Sequence, residues 1–532
     1  MAAAERDPRP PVVIVGTGPA GLVAAVTLAR NGIGALLVER NPGLSPLPRA
    51  TAVSTRTMEL LRSWGLEDEV RAGQLELVST GAWAAETLAS TEGTVLPLGV
   101  ADLDQATAAS PTRLAGVPQD HLEPVLLRHL ERLGPAEVRF GTELVALEQD
   151  DDGVTVALQE RATGEELTVR AAYLVGADGA HSRVRRLLGI AMDGPDHLNE
   201  QLTVLFEAPL AGVAGERRHG IYFIRHPEAG GVLVPNGAGD RWLYGRGWDP
   251  GHERLDDYTD ARLTGLIRTA AGVADLPVRV VAKGAFSFAA QVAARYRRGR
   301  AFLVGDAAQR MTPRGGMGMN TAVAEGHDLA WKLAWVLRGW AGPALLDTYE
   351  AEWRPVGARR TARSAVDNGE PDGAEALADD LNGRLPHAWL ATSNGHPRST
   401  LDLLGPGLTL LTRPRLRRLG RRRGGPRPPL APGGPPPRPR RRHDPRCHSR
   451  RRHPVPPRRP GPRPLAHRPD RPPRRARHGP PPLARPPGGQ ELSWERTAAA
   501  WPSALTSCQA RSTRPCSSRR KVERRTPTEV RP

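Results

Sequence analysis

Three glycines near the start of the chain have the spacing of a phosphate-binding turn. In "PPVVIVGTGPAGLVAAVTLARNGIGALLVER", the apolar run Val12–Val15 is followed by Gly16, Gly18 and Gly21. The helical spacing of the apolar residues that follow, up to Asn31, predicts a strand, a turn and a helix. Gly16 permits a tight turn, Gly18 lets a pyrophosphate approach the backbone, and Gly21 lets the helix pack on the strand.

A second strand, predicted over Ile33 to Val38, delivers an acidic residue where a nucleotide needs one. Glu39 lies 18 residues beyond Gly21, a position from which a carboxylate can accept hydrogen bonds from both ribose hydroxyls of an adenosine. The N-terminus of the preceding helix offers N–H groups to a phosphate. These features together predict a dinucleotide-binding domain and leave the identity of the dinucleotide open.

Two later stretches repeat the pattern of a buried strand ending in a small loop. In "AAYLVGADGAHSRVRRLLGI" the strand ends at Gly176–Gly179, which includes Asp178, and a helix is predicted from Ser182 to Leu188. In "RAFLVGDAAQRMTPRGGMGMNTAVAEGHDLAWKLAWVLRG" the strand ends in Gly305-Asp306, and a glycine-rich loop leads into a helix. An Asp at the end of a parallel strand lies in the ligand crevice. A helix N-terminus can stabilise negative charge on a flat ring.

In order and spacing, these three motifs resemble the flavin-dependent aromatic hydroxylases, the class A FAD monooxygenases, and especially their polyketide and phenol hydroxylase branch. "RATAVSTRTMELLRSWGL", "VPQDHLEPVLLRHL" and "LLDTYEAEWRPVG" extend the resemblance over residues from about 12 to 412. It implies an α/β fold: a Rossmann-like FAD-binding domain of the glutathione-reductase type with an inserted, mostly antiparallel β substrate domain.

The resemblance also implies which residues bind FAD. These are Gly16, Gly18, Pro19, Ala20, Gly21, Glu39, Arg40, Arg49, Gln119, Asp178, Gly305, Asp306, Pro313, Gly316, Gly318, Met319 and Asn320. Glu39 and Arg40 are expected at the adenine ribose, and Arg49 and Gln119 on the flavin side. The first glycines are expected to face the pyrophosphate.

Three more roles follow from the same resemblance. Asp178 is expected near the pyrophosphate and in NAD(P)H handling, and Asp306 is expected to accept hydrogen bonds from ribityl or phosphate-linked hydroxyls. The segment from Gly318 to Asn320 is expected at the N1/O2 edge of the flavin ring, where a helix N-terminus would stabilise the charge of the reduced flavin. Two departures are Gln309, where the family commonly has His, and Met317, where Gln is frequent.

The reaction implied is aromatic hydroxylation. NADPH or NADH reduces FAD, O2 adds at the flavin C4a carbon, and the distal oxygen of this hydroperoxide transfers to an electron-rich phenolic or polyketide ring. The protein must then mainly position the ring and exclude water, so no catalytic side chain is assigned. With one glycine fingerprint and no cysteine before residue 413, a disulfide reductase, a thiol nucleophile and a zinc site are not expected.

The expected domains are residues 11–189 and 292–360 for FAD binding, 190–291 for the substrate, and 361–412 for a helical segment with the start of a truncated C-terminal domain. "EQLTVLFEAPL", "HGIYFIRHP", "GGVLVPN" and "DRWLYGRGW" read as antiparallel strands of the substrate domain. Tyr222, with Phe223, Trp242 and Tyr244, is a candidate for a flat apolar pocket, although aromatic residues in strands usually belong to the core.

The last 120 residues have a different composition. Residues 413–532 hold 33 Arg, one Lys and six acidic residues, a net charge of +28, so residues 1–412 carry −10. This tail holds 28 of the 53 prolines and lacks Phe, Tyr, Ile, Asn and Met. Such a segment cannot bury enough apolar surface to offset its ordering entropy. We expect it to be disordered.

Codon composition suggests an origin for the tail. The missing residues have AT-rich codons, whereas Arg, Pro, Gly and Ala have GC-rich ones, which is typical of a GC-rich gene read out of frame. The family continues at this point into a thioredoxin-like domain of similar length. The hypothesis is a frame shift near Thr412 and Arg413, which leaves an impaired product whose basic tail binds nucleic acid nonspecifically.

The sequence also leaves a second activity open. A flavin-dependent epoxidase or reductase of the same fold would act on another small molecule.

The start "MAAAERDPRPP" lacks the layout of a secretory signal, and the apolar run after Val12 is interrupted by glycines, so a cytoplasmic protein without a membrane span is expected. A monomer or homodimer is expected, with no specific nucleic-acid partner and no metal.

Overall fold

The computed structural model describes residues 10–75, 81–99, 103–237, 239–366, 373–392, 396–405, 407 and 409. The strands are β1 (Val12–Val15), β2 (Ala35–Glu39), β3 (Ala82–Ala85), β4 (Thr94–Leu96), β5 (Ala136–Phe140), β6 (Thr142–Gln149), β7 (Val154–Glu160), β8 (Glu166–Ala171), β9 (Tyr173–Gly176), β10 (Met192–Asp193), β11 (Asn199–Glu207), β12 (Tyr222–Ile224), β13 (Gly231–Pro235), β14 (Arg241–Gly247), β15 (Arg279–Phe288), β16 (Gln291–Ala293), β17 (Arg297–Arg298), β18 (Ala301–Leu303), β19 (Gln309–Arg310), β20 (Trp389–Leu390) and β21 (Arg398–Ser399). The helices are α1 (Pro19–Arg30), α2 (Thr55–Ser63), α3 (Glu67–Arg71), α4 (Leu103–Ala109), α5 (Gln119–Leu133), α6 (Arg183–Leu187), α7 (Leu210–Ala214), α8 (Asp260–Ala271), α9 (Gly318–Leu337), α10 (Asp347–Ser364) and α11 (Gly373–Asp380).

The glycine turn belongs to a six-stranded sheet with the order β17-β18-β9-β1-β2-β5. All neighbouring strands run parallel except β17, which is antiparallel to β18. The chain leaves β1 toward β2 on one side and later returns to β9 on the other side. This reversal of direction is the point at which doubly wound sheets bind ligands, and the predicted strand, helix and strand from residue 12 to 39 are confirmed.

Small residues set the close packing of α1 against its neighbours. A Cβ on Gly326 of α9 would overlap the carbonyl oxygen of Ala20 in α1, and one on Gly305 would lie 3.2 Å from the Cβ atoms of both Ala20 and Ala322. The two helices therefore cross at backbone distance, which only glycine permits. This crossing joins the loop after β18 to the turn after β1.

A seven-stranded sheet, in the order β15-β11-β14-β13-β12-β3-β4, forms the second large unit of structure. The four predicted strands of residues 199–247 are confirmed as antiparallel neighbours. The sheet also recruits β3 and β4, from a region that the sequence assigns to FAD binding, and β3 pairs with β12 in parallel. The predicted boundaries at 190 and 291 remain predictions, but the sheet itself is shared between two segments of the chain.

Residues beyond α10 attach to the body through buried polar contacts. Arg384 and Glu59 of α2 form an ion pair of 3.0 Å in which both side chains are almost completely buried. Asp380 accepts hydrogen bonds from the Ser54 hydroxyl at 2.8 Å and from the Arg56 N–H at 2.9 Å, at the start of α2. Since the carboxylate at the end of α11 thereby helps to cap α2, the described residues of the segment 373–405 are part of the same body.

The predictions for the tail cannot be compared with described residues. The frame shift at residues 412–413 and the disorder of residues 413–532 lie outside the described part of the chain. Within the described part of the chain, no helix is long and apolar enough to cross a membrane.

Replacing Gly326 by Ala tests the helix crossing. We expect Gly326→Ala to lower the free energy of unfolding by about 1–3 kcal/mol, because the added methyl group must push α1 and α9 apart. Gly265→Ala is the matched control: Gly265 lies in α8, and a Cβ added there would have no atom within 4 Å, so this change should stabilise by about 0.5–1 kcal/mol. Urea denaturation of both variants measures the difference, and equal stability would contradict the crossing.

Candidate functional site

The glycine turn has the geometry that the sequence predicts. Gly16 has a φ of +107°, and its N–H donates to the Val38 carbonyl at 2.8 Å. A Cβ on Gly21 would overlap the Gly16 carbonyl oxygen, so this glycine lets α1 pack on the turn. A Cβ on Gly18 would meet no atom of the described residues within 4 Å. The space beside Gly18 is therefore open to a ligand, and Pro19 and Ala20 begin the helix behind it.

The acidic residue after β2 faces this turn. The Glu39 carboxylate accepts hydrogen bonds from the Thr17 N–H at 3.2 Å and from the Asn41 amide at 2.7 Å. It also accepts from the Thr17 hydroxyl at 3.3 Å and from the Asn41 backbone N–H at 3.0 Å. A carboxylate has about four acceptor positions, so Glu39 is held firmly beside the glycine turn, and a ribose hydroxyl would bind in place of one of these four donors. Arg40 and Arg49 are exposed side chains, and Arg49 is near enough to Asp306 to lower the pKa of that carboxyl against the effect of burial.

Asp178 has a local structural role. Its carboxylate accepts hydrogen bonds from the backbone N–H groups of Arg183 at 2.6 Å and Val184 at 3.0 Å, at the start of α6. The buried Arg185 of that helix donates to the Ala307 carbonyl at 3.0 Å. The Asp178 loop and the Asp306 loop are thereby tied together. The predicted role of Asp178 at the pyrophosphate or in NAD(P)H handling stays a prediction.

Asp306 differs from Asp178 in having no side-chain hydrogen bond to any described residue. It lies in a single helical turn directly after β18, and burial raises its pKa while Arg49 and Arg310 lower it. A half-buried carboxyl at the end of a parallel strand, with no donor in the described part of the chain, is suited to accept a hydroxyl group of a ligand.

The glycine-rich loop ends in a helix N-terminus that no described side chain caps. Pro313 is exposed and begins the turn, and Gly316 has a φ of +61°. A Cβ on Gly318 would meet no atom within 4 Å among the residues that the structure describes. Met319 is buried. The first turn of α9 therefore has N–H groups without side-chain acceptors and open space beside its first residue, as α1 does at Gly18.

Asn320 uses its side chain within the protein. Its amide oxygen accepts from the Ser54 N–H at 2.8 Å and the Thr57 hydroxyl at 2.9 Å, and its amide nitrogen donates to the carbonyls of Ala52 at 3.2 Å and Gly316 at 3.1 Å. The Asn320 amide therefore fixes the start of α9 to the start of α2. Asn320 could therefore contact a flavin only through its backbone.

Two buried acids near the site were missed by sequence reasoning. Glu123 in α5 accepts a hydrogen bond from Gln119 at 2.7 Å, and burial raises its pKa to about 7. Glu325 in α9 is fully buried, and burial raises its pKa to about 8. A signal did exist: Glu325 interrupts the apolar stripe of α9 between Ala322 and Leu329, three and four residues away.

The predicted aromatic pocket is wrong for three of its four members. Tyr222, Trp242 and Tyr244 belong to the core between the seven-stranded sheet and α8, and the two tyrosine hydroxyls donate to the backbone carbonyls of Arg217 and Ala229. Apolar strand residues on one face of a sheet pack against the covering helix. Phe223 points to the opposite face, because side chains alternate along a strand.

That opposite face carries a row of residues that includes two glycines, and we call it the open row. Thr203 lies opposite Gly284 on one neighbouring strand and Gly245 on the other, and Val232 and Phe223 continue the row. Gly284 lies beside Leu47, which follows β2. The two glycines leave the sheet surface flat around Thr203, on the side that meets the segment after β2.

The fold and site together define a class. Two uncapped helix N-termini with open space, at Gly18 and Gly318, and an acceptor at Asp306 fit a dinucleotide with a pyrophosphate and a ring that gains negative charge. The residues present therefore fit FAD, in a doubly wound domain that carries a large, mostly antiparallel second sheet.

Comparison with known proteins agrees with this class. The sequence profile described as "FAD binding domain" matches residues 9–364. The chain is 40% identical over 400 residues to aklavinone 12-hydroxylase RdmE of Streptomyces purpurascens, covering 73% of this chain and 72% of that protein. It is 37% identical over 462 residues to tetracenomycin A2 monooxygenase-dioxygenase of Streptomyces glaucescens, covering 76% and 82%.

Solved structures give the same result. The crystal structure of the flavin-dependent monooxygenase PieE with FAD and substrate matches with a TM-score of 0.68 and 32% identity, over 76% of this chain and 84% of that one. The ternary complex of aklavinone-11 hydroxylase with FAD and aklavinone matches with a TM-score of 0.66 and 36% identity, over 76% and 83%. The chain belongs to the FAD binding domain family. It is an FAD-dependent monooxygenase of the aromatic hydroxylase type, with NAD(P)H as co-substrate.

Two glycine variants separate cofactor binding from folding. Gly18→Val places its side chain in open space, so the apo-protein should keep its free energy of unfolding within about 0.5 kcal/mol, while FAD affinity falls at least about tenfold. Gly21→Ala should instead destabilise the apo-protein by about 1–3 kcal/mol. Flavin fluorescence titration and urea denaturation measure the two effects. Unchanged FAD affinity in Gly18→Val would contradict the site.

Proposed function

We propose that this enzyme hydroxylates a flat, polycyclic phenol of the polyketide type, with O2 and with NADPH or NADH as reductant. The observation that carries the proposal is the open row on the seven-stranded sheet. Its two glycines, at positions 245 and 284, flank Thr203. Glycine on both sides of Thr203 leaves this part of the sheet face flat, which suits an extended flat ring system better than a single ring with many polar groups.

Relatives support the same substrate class. Proteins 37–41% identical to this chain are named as hydroxylases or monooxygenases of aklavinone and tetracenomycin. A different enzyme type is also present among relatives: 4-methyl-5-nitrocatechol 5-monooxygenase of Burkholderia, at 37% identity. A single-ring phenol is therefore the second candidate, and the open row favours the polycyclic one.

FAD, when bound, supplies the reduction by NAD(P)H and the activation of O2. We infer that the chain contributes position and electrostatics. N–H groups at the start of α1 and α9 would hold the pyrophosphate and the ring edge, Asp306 would accept from a hydroxyl, and Glu39 would accept from the adenine ribose. The apolar members of the open row, Val232 and Phe223, would exclude water from the ring.

The remaining partners are also proposals. The body formed by residues 1–412 carries a net charge of −10, which supports the absence of a specific nucleic-acid partner for this part of the chain. We also propose a cytoplasmic monomer or homodimer. A reductase or epoxidase is the less supported activity, because the relatives named here are hydroxylases and monooxygenases.

The direct test follows oxygen into a product. We expect the purified protein with FAD to consume NADPH or NADH faster in the presence of a polycyclic phenol, and to incorporate one atom of 18O from 18O2, seen by mass spectrometry. Coupling, measured as product formed per peroxide released, should be higher than with phenol itself. NAD(P)H consumption that yields only peroxide with every aromatic compound would contradict the substrate class.

The open row can be tested by filling it. Thr203→Trp should raise KM for a polycyclic phenol by about tenfold, because a large side chain then covers the flat surface, and should affect phenol less. Val281→Trp on β15 is the control, since Val281 is exposed and falls at the register shift of that strand. Steady-state kinetics on both substrates measure the ratio. Equal losses in the two variants would exclude the row as the binding surface.

A further inference from the structure

A chain of buried polar groups lies behind the Gly305-Asp306 turn. The Gly305 N–H donates to one carboxyl oxygen of Glu325 at 2.8 Å, and the Gln309 amide nitrogen donates to the other at 2.7 Å. The Tyr296 hydroxyl donates to the Gln309 amide oxygen. Glu325, Gln309 and Tyr296 are 0%, 2% and 0% exposed. We call these three residues the Glu325 relay.

The surrounding backbone is shaped for this relay. A Cβ on Gly357 of α10 would overlap both the Gln309 amide oxygen and the Tyr296 hydroxyl, so a glycine is needed there. The Tyr296 N–H is held by Glu350 of the same helix at 2.7 Å. The relay therefore has defined contacts on both sides.

Gln309 gives the relay two self-consistent arrangements. With Glu325 ionised, the amide nitrogen donates to the carboxylate and the amide oxygen accepts from Tyr296, as observed. With Glu325 protonated, a flip of the amide lets the carboxyl O–H donate to the amide oxygen and the amide nitrogen donate to Tyr296. An amide can reverse in this way without carrying the proton itself, unlike the imidazole of a histidine.

Charges around Glu325 come from several elements. Burial raises the pKa of Glu325 most strongly, and the negative charge of Asp306 raises it further. The hydrogen bonds from Gly305 and Gln309 lower this pKa, and so does Arg360 of α10. Glu325 in turn raises the pKa values of two neighbouring tyrosines, Tyr296 and Tyr349. Added negative charge near the Glu325 carboxyl therefore raises its pKa and favours the protonated form.

We propose that Glu325 is a positioning residue of the FAD site, which holds the Gly305-Asp306 turn through the relay. At a pH high enough for the free protein to have lost this proton, Glu325 takes up one proton from solvent when the negatively charged cofactor binds. Gly305 lies between the relay and the FAD site, because a Cβ on Gly305 would be 3.2 Å from the Cβ of Ala20 in the first turn of α1. The proposal rests on FAD binding and is independent of the substrate proposed for the open row.

The sign of the pH dependence follows from the charges. FAD brings negative phosphates, so it binds the protonated form of Glu325 more tightly. FAD affinity should therefore be highest below the pKa of about 8 and fall as the pH rises through that value. Each pH unit by which FAD raises this pKa corresponds to about a tenfold loss of affinity at high pH.

Glu325→Gln removes the ionisation and keeps an acceptor for Gly305. We expect FAD dissociation constants, measured by flavin fluorescence from pH 6.5 to 9.5, to rise about tenfold in the unsubstituted protein and to stay within about twofold in Glu325→Gln. Glu350→Gln, which removes a charge on the far side of Tyr296, should keep the slope of the unsubstituted protein. Retention of that slope in Glu325→Gln would overturn the proposal.

A second variant keeps the test valid if Glu325→Gln does not fold. In the ionised arrangement Tyr296 supports the amide orientation that stabilises the carboxylate, and in the protonated arrangement its hydroxyl loses its acceptor. Tyr296→Phe should therefore move the midpoint of the FAD affinity profile upward by about half a pH unit. A midpoint that stays in place, or moves downward, would contradict the relay.

Discussion

The site depends on the close approach of the turn after β1, the loop after β18 and helix α9 around the first turn of α1. Gly16 and Gly21 bring the end of β1 against the helix, Gly326 lets α9 cross it at Ala20, and Gly305 brings the loop after β18 to the same point. Each contact is between backbone atoms or methyl groups, so an added side chain at these positions would separate the loops. Residues 20, 305 and 326, which are far apart in sequence, thereby come into contact.

The open parts of that surface are as informative as the packed ones. Gly18 is the N-cap residue of α1 and Gly318 is the first residue of α9, and within the described part of the chain no atom lies within 4 Å of a Cβ built on either glycine. Glycine at the packed positions serves folding, whereas glycine at the open positions leaves room for a ligand. Glycine thus serves folding at some positions of the motif and ligand binding at others, and substitutions can distinguish these two roles.

Acids that are wholly or partly buried give the site its second physical constraint. Asp306, Glu123 and Glu325 all have raised pKa values because burial disfavours the charged form. A site that receives a negatively charged dinucleotide gains from carboxyls that are neutral or close to a proton. The arginines nearby, at positions 49 and 360, act in the opposite direction, so the balance of charge is set locally.

The sequence by itself determined the glycine turns, the strand-terminal acids and the resemblance to the aromatic hydroxylases, because these depend on local backbone geometry and short spacing. It also predicted the strands of residues 199–247, since their alternation is local.

The tertiary structure decided which face of each strand is covered, and it placed Tyr222 in the core and Thr203 on the open row. It decided that Asn320 and Asp178 bond within the protein, and that Glu325 meets Gln309 and Tyr296. Those contacts join separate elements, and spacing along one chain carries no information about which elements meet.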